Sequence, residues 1–176
     1  TIKTVGKENS PIIKGSIGNT TSTFYSTGSG DGNVRNSSTT WSTARNAADG
    51  DLVAKTALSE SCGIYFTGTG TYYIYRIFLP FDTSALPDTD TIDSVTLNVT
   101  PTNKNGSDYT FAVVQTSQAS PTDLVLADFD QCGAVDSPTE GATRISVNDM
   151  TVEVEKGFPL NATGLTWINK TGTTLL

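Results

Sequence analysis

The sequence predicts an all-β fold: a two-sheet antiparallel β-sandwich, with about eight or nine short strands and one or two short helical turns. Three observations carry this. Thr and Ser together make up 47 of 176 residues and Gly another 16, so β-branched and turn-forming residues dominate. Charged residues reach only 16%, against a usual value of about 25%, and the long helix formers Glu, Lys and Arg are scarce. Short apolar or alternating segments recur between clusters of Gly, Ser, Asn and Asp. A chain of this length hides roughly 70% of its unfolded surface, enough to fold without a metal.

The elements follow in order. Residues 1–20 read as an N-terminal arm or linker, carrying several charges and the short apolar stretch Pro11-Ile12-Ile13. Residues 21–176 read as the sandwich domain. Thr21 to Tyr25 is a strand, Ser26 to Asp31 a turn, and Gly32 to Arg35 a second strand. Asn36 to Gly50 is polar and holds Trp41. Cys62 to Phe66 is a strand closed by the turn Gly68-Thr69-Gly70. Tyr72 to Phe81 is large and apolar at nearly every position, the pattern of a central strand covered on both faces. Pro80 cannot donate to a ladder, so the strand ends or turns there. Asp82 to Asp88 leaves the sheet with a short helical turn. Ile92 to Val99 alternates, with Ile92 out of phase and Val95, Leu97 and Val99 on one side, as a half-exposed strand does. Tyr109 to Gln115 is a further strand. Asp123 to Phe129 fits a strand or a short helix. Arg144 to Val147 and Thr151 to Glu155 are strand-like, and Gly164 to Ile168 is one helical turn packing Trp167 or Ile168 inward.

Charge and residue usage exclude several functions. The net charge of −7 with no basic cluster argues against nucleic acid. No apolar run approaches the roughly 20 residues of a membrane span. The absence of His removes the commonest general base and every Ser-His-Asp or Cys-His nucleophile. No pair of carboxylates is marked out for glycoside hydrolysis, so the expectation is a protein that is not an enzyme. Hard oxygen ligands in turns suit calcium, and the candidate loops carry Asp49 and Asp51, Asp88 and Asp90, and Asp128 and Asp130; solvated turn carboxylates are the alternative. Trp41, in a Thr/Ser-rich context, is the candidate for stacking on a sugar, the alternative being cover for the core edge. Arg76, set among apolar neighbours, is expected to bond loop carbonyls or Asp82.

Cys62 and Cys132 are the two cysteines. They read either as a disulfide closing a loop of about 70 residues or as two buried thiols. Six Asn residues stand in Asn-x-Ser/Thr form, namely Asn19, Asn36, Asn98, Asn105, Asn161 and Asn169. Such sites accept glycans in exported proteins, and they place the chain outside the cell or on its surface.

The run Tyr75-Arg76-Ile77-Phe78-Leu79-Pro80-Phe81-Asp82-Thr83-Ser84-Ala85-Leu86-Pro87, followed by Ile92-Asp93-Ser94-Val95-Thr96-Leu97, resembles the DNRLRE-type domains. These are jelly-roll modules related to carbohydrate-binding modules and found in bacterial and archaeal surface proteins. The likeness extends over residues 22–176, with Val95 where those domains usually carry Ala. The resemblance implies a final strand beyond Leu176 and, without it, a groove between unpaired strands. An extended arm can fill such a groove, with Ile12, Ile13 and Ile17 as the donor residues.

The function expected on these grounds is a non-catalytic structural module or subunit of an extracellular filament, tube or surface layer, joined by strand exchange. The alternative is a carbohydrate-binding module of a secreted or surface protein. The expected partners are copies of the chain, neighbouring surface-protein domains, or glycans.

Overall fold

The computed structural model describes residues 11–17, 20–26, 30–55, 61–105 and 109–176. In chain order these form β1 (Ile12–Ile17), β2 (Thr20–Tyr25), β3 (Gly32–Ser38), the helix α1 (Trp41–Arg45), β4 (Leu52–Lys55), β5 (Gly63–Phe66), β6 (Tyr72–Phe78), β7 (Pro80–Asp82) and β8 (Ser94–Val99). There follow β9 (Thr110–Phe111), a 3-10 turn (Leu126–Asp130), β10 (Ile145–Ser146), a second 3-10 turn (Val147–Asp149), β11 (Lys156–Pro159), α2 (Ala162–Leu165) and β12 (Thr173–Leu175). The chain is an all-β sandwich. One four-stranded sheet has the order β11-β8-β1-β2 and the other β4-β3-β6-β5, with β9–β10 and β7–β12 as short accessory pairs. Every pairing is antiparallel.

Two cores result. Between the sheets, Ile13, Leu97 and Phe158 of the first sheet meet Leu79, Phe81 and Ile168, with Ile77 packed against them. On the opposite side of β3 and β6, the buried Val34, Ile74 and Phe78 meet Ala44 of α1, Leu124, and Phe129 of the first 3-10 turn. The second sheet is therefore covered on both faces where β6 crosses it. That is why Tyr72 to Phe81 carries no polar alternation: Ile77 points to one core while Ile74 and Phe78 point to the other.

The division at residue 20 is corrected. Ile12–Ile17 is an inner strand of this chain's own sheet, not an arm outside it. Ile13 pairs with Leu97 on one side and Phe24 on the other, and is 1% exposed. An apolar segment next to a free ladder edge of its own domain gains burial and hydrogen bonds together.

A second correction concerns Thr151 to Glu155. The Val-Glu-Val-Glu alternation reads as a strand but forms a turn, with Glu153 at φ 61 and Val152 and Val154 exposed. The strand is the next segment, β11, where Phe158 pairs with Leu97 and is buried. Gly157 and Pro159 disguise it in sequence. Pro159 is tolerated because β11 lies at the sheet edge. Two further segments differ. Leu52–Lys55 adds an edge strand beside β3. Of Tyr109 to Gln115 only Thr110–Phe111 enters a ladder; Val113 and Thr116 bond instead to the backbone of Gly141 and Leu175.

Candidate functional site

Two sheet edges carry charge or Pro that discourages further pairing: β11 has Lys156 and Pro159, and β4 has Lys55 beside Asp123. A third, β2, runs at Ser26 into a bridge with Phe81 of β7. β5 is different. Its Ile64, Tyr65 and Phe66 are 44%, 60% and 51% exposed, three large apolar side chains in succession. Among the described residues no strand pairs with its outer edge. At its start, Gly63 has φ +118, and a Cβ there would meet the Tyr109 ring at 3.0 Å, so only glycine lets β5 begin at that place.

Pairing of β5 with β6 places Tyr65 opposite Tyr73 and Phe66 opposite Tyr72. The Tyr65 and Tyr73 rings lie 6.0 Å apart and tilted. Arg35 sits 5.0 Å over the Tyr73 ring, and its Nε donates to Asp51 at 2.8 Å, while the Ser37 hydroxyl donates to the other Asp51 oxygen. The result is an exposed aromatic surface beside a fixed polar cluster.

A cavity of about 230 Å³ opens between the two sheets. Its walls are mostly hydrocarbon, from Leu79, Leu97, Val99, Phe111, Val113 and Phe158. Cys62 and Cys132 reach the same cavity, yet both are free thiols, so the expected disulfide is not formed. Burial pushes the Cys62 thiol up to about 11 and raises Cys132 as well, which keeps both protonated near neutral pH.

The other residues singled out in the sequence fall as follows. Arg76 is a structural arginine: it donates to the carbonyls of Phe129 and of Arg45, with Asp130 at 3.9 Å, whereas Asp82 accepts from Ser84 instead. Burial lowers the Arg76 guanidinium from its ordinary value, opposed by Cys132 and Asp130. Trp41 begins α1, half-buried, with its ring edge-on to Tyr72 at 5.7 Å and packed on the second core. It offers no open face comparable to Tyr65.

In the candidate calcium loops the carboxylates of Asp51 and Asp128 are engaged, whereas at Asp49, Asp88 and Asp90 the bonded atoms are backbone carbonyls. The carbonyl of Asp49 accepts from Asn36, and Asp51 holds Arg35 and Ser37. The carbonyls of Asp88 and Asp90 both accept from the Lys170 ammonium. Asp128 is 1% exposed and accepts from the backbone N–H groups of Ala119 and Val125, which fixes the first 3-10 turn. Among the described residues no group of three or more His, Cys, Asp or Glu side chains converges.

Of the six glycosylation motifs, that of Asn19 lies outside the described residues. Asn98 is 7% exposed in β8, so its amide is enclosed in the folded domain. Asn36 is half-buried in β3; Asn161 caps α2 by accepting from Gly164 at 3.0 Å; Asn105 and Asn169 are exposed. Ile12 and Ile17, like Ile13, belong to β1.

No helix is long and apolar enough to cross a membrane among the described residues. No family model, curated protein or solved structure matches the chain.

Proposed function

We propose that this chain is a non-catalytic structural module of an extracellular surface assembly, joined to neighbouring copies by strand addition. The observation that carries the reading is β5. An edge strand with Ile64, Tyr65 and Phe66 exposed in succession is a template for another strand, and nothing charged interrupts it. Because β1 already fills the inner position of the first sheet, the junction belongs at β5 rather than at the N-terminal segment. The resemblance to surface-protein modules and the repeated Asn-x-Ser/Thr motifs support an exported setting. Sedimentation and electron microscopy test the proposal. Wild-type protein forms oligomers or filaments, and Ile64→Lys with Phe66→Lys leaves folded monomers. A wild type that stays monomeric at high concentration overturns it.

A second reading, glycan binding, rests on Tyr65. Its ring is open to solvent beside Tyr73, with Arg35 and Asp51 nearby to meet hydroxyl groups. Glycan binding that survives Trp41→Ala and is lost in Tyr65→Ala selects this reading.

A further inference from the structure

We infer that the cavity between the sheets is a binding site for a small, uncharged, mostly hydrocarbon molecule bearing one hydrogen-bonding oxygen, such as an alcohol or a ketone. Four observations lead there, none of which involves β5.

The first is size. Protein interiors hold few voids larger than a water molecule, and this one measures about 230 Å³. An apolar cavity of about 150 Å³ engineered into another protein holds benzene, while pockets for drug-sized ligands run from about 300 Å³ upward. The space fits one substituted ring or a short branched chain.

The second is lining. Leu97, Val99 and Phe158 come from the first sheet and Ile77 from the second, with Leu79 just beyond β6, and Phe111 and Val113 close one side. Such walls give no hydrogen bonds, so water gains little by filling the space and hydrocarbon gains from leaving solvent.

The third is an unpaired hydroxyl. Thr116 lines the cavity and is 6% exposed, yet its Oγ1 has no hydrogen-bond partner among the described residues. Its backbone N–H is already given to the carbonyl of Leu175. Buried hydroxyls are normally paired; less than 1 Å² of this oxygen is open to the cavity, so a ligand oxygen pairs it by drawing the Thr116 side chain round its Cα–Cβ bond into the space.

The fourth concerns charge. Among the described residues Arg76 is the only charged side chain in the lining; it donates to the carbonyls of Phe129 and Arg45, with Asp130 at 3.9 Å. The Asp130 carboxylate offsets the Arg76 charge and the two carbonyls hold its fork away from the cavity centre, so a neutral ligand fits best.

Toluene and benzyl alcohol are suitable probes, titrated while the methyl resonances of Leu97, Val99 and Val113 are followed by NMR. Both should shift those methyls saturably. Thr116→Val should weaken benzyl alcohol about fivefold relative to toluene, the worth of one hydrogen bond. Ala134 lines the cavity from an exposed position, so Ala134→Phe should block both probes while the melting temperature holds. In the wild type, benzyl alcohol should also slow alkylation of Cys62 and Cys132. The inference fails if the cavity methyls show no saturable shift up to the solubility limit and the thiols gain no protection. Equal weakening of both probes by Thr116→Val removes the oxygen from the ligand class.

Discussion

The guanidinium of Arg76 lies 3.9 Å from the centre of the Phe129 ring and donates to the carbonyl of the same residue. Fifty-three residues apart in sequence, the two are stacked and bonded, and with the Arg45 carbonyl at 2.6 Å they tie the first 3-10 turn and the end of α1 to the middle of β6. A planar fork can serve two carbonyls and a ring face at once, which an ammonium cannot. Arg76→Met should therefore cost about 2–4 kcal/mol, because two carbonyls lose a charged donor. Arg76→Lys should recover only part of that. Chemical denaturation of the three proteins measures both differences, and an Arg76→Lys protein as stable as wild type would contradict this role.

The two cores give a paired test. Phe78 is fully buried in the second core, so Phe78→Ala should destabilise by about 3–5 kcal/mol. Val154 is 53% exposed in a turn, so Val154→Ala should change stability by less than about 0.5 kcal/mol. Equal effects would mean that Thr151 to Glu155 is a core strand after all.

Thr116→Val should raise stability by about 1 kcal/mol, since it replaces a buried unpaired hydroxyl with a methyl of the same shape. The melting temperature of the ligand-free protein reads this directly. A clear decrease would reveal a partner for the hydroxyl.

Cys62 sets a pH dependence. Its thiol rises from 9.0 in the unfolded reference to about 11 in the fold. The raised value means that the folded state holds its proton longer. The stabilisation is fully present below about 9 and is lost as pH climbs through 11. Denaturation midpoints should fall across that window, and Cys62→Ala should flatten the fall. Alkylation of Cys62 at pH 7.5 should be slower than for an unfolded control, and a rate equal to the control would show that the thiol is not shielded.

Much of the fold was legible in the sequence, and the reasons are local. The continuous apolar run Tyr72 to Phe81 announced a strand covered twice, the alternation of Val95, Leu97 and Val99 announced a one-sided strand, and Gly164 to Ile168 announced a turn of helix with Trp167 or Ile168 inward, where the fold buries both. Arg76 was legible too, because a guanidinium among apolar neighbours must find acceptors; only its partners, the carbonyls of Phe129 and Arg45, came from elsewhere in the chain. What the sequence left open was every property set by which segment finds which edge. Val152 and Val154 alternate as well as Val95 and Leu97 do, yet β8 pairs with Phe158. Ile12 and Ile13 look like part of an arm until β2 and β8 supply ladders on both sides. Cys62 and Cys132 reach one cavity only because β5 and the segment after the first 3-10 turn converge there. The unpaired Thr116 hydroxyl and the open edge of β5 have no local signature at all. Periodicity reports how many faces of a segment will be buried, since that depends on the segment's own side chains. Partners, edges and voids depend on long-range pairing, and only the tertiary structure decides them.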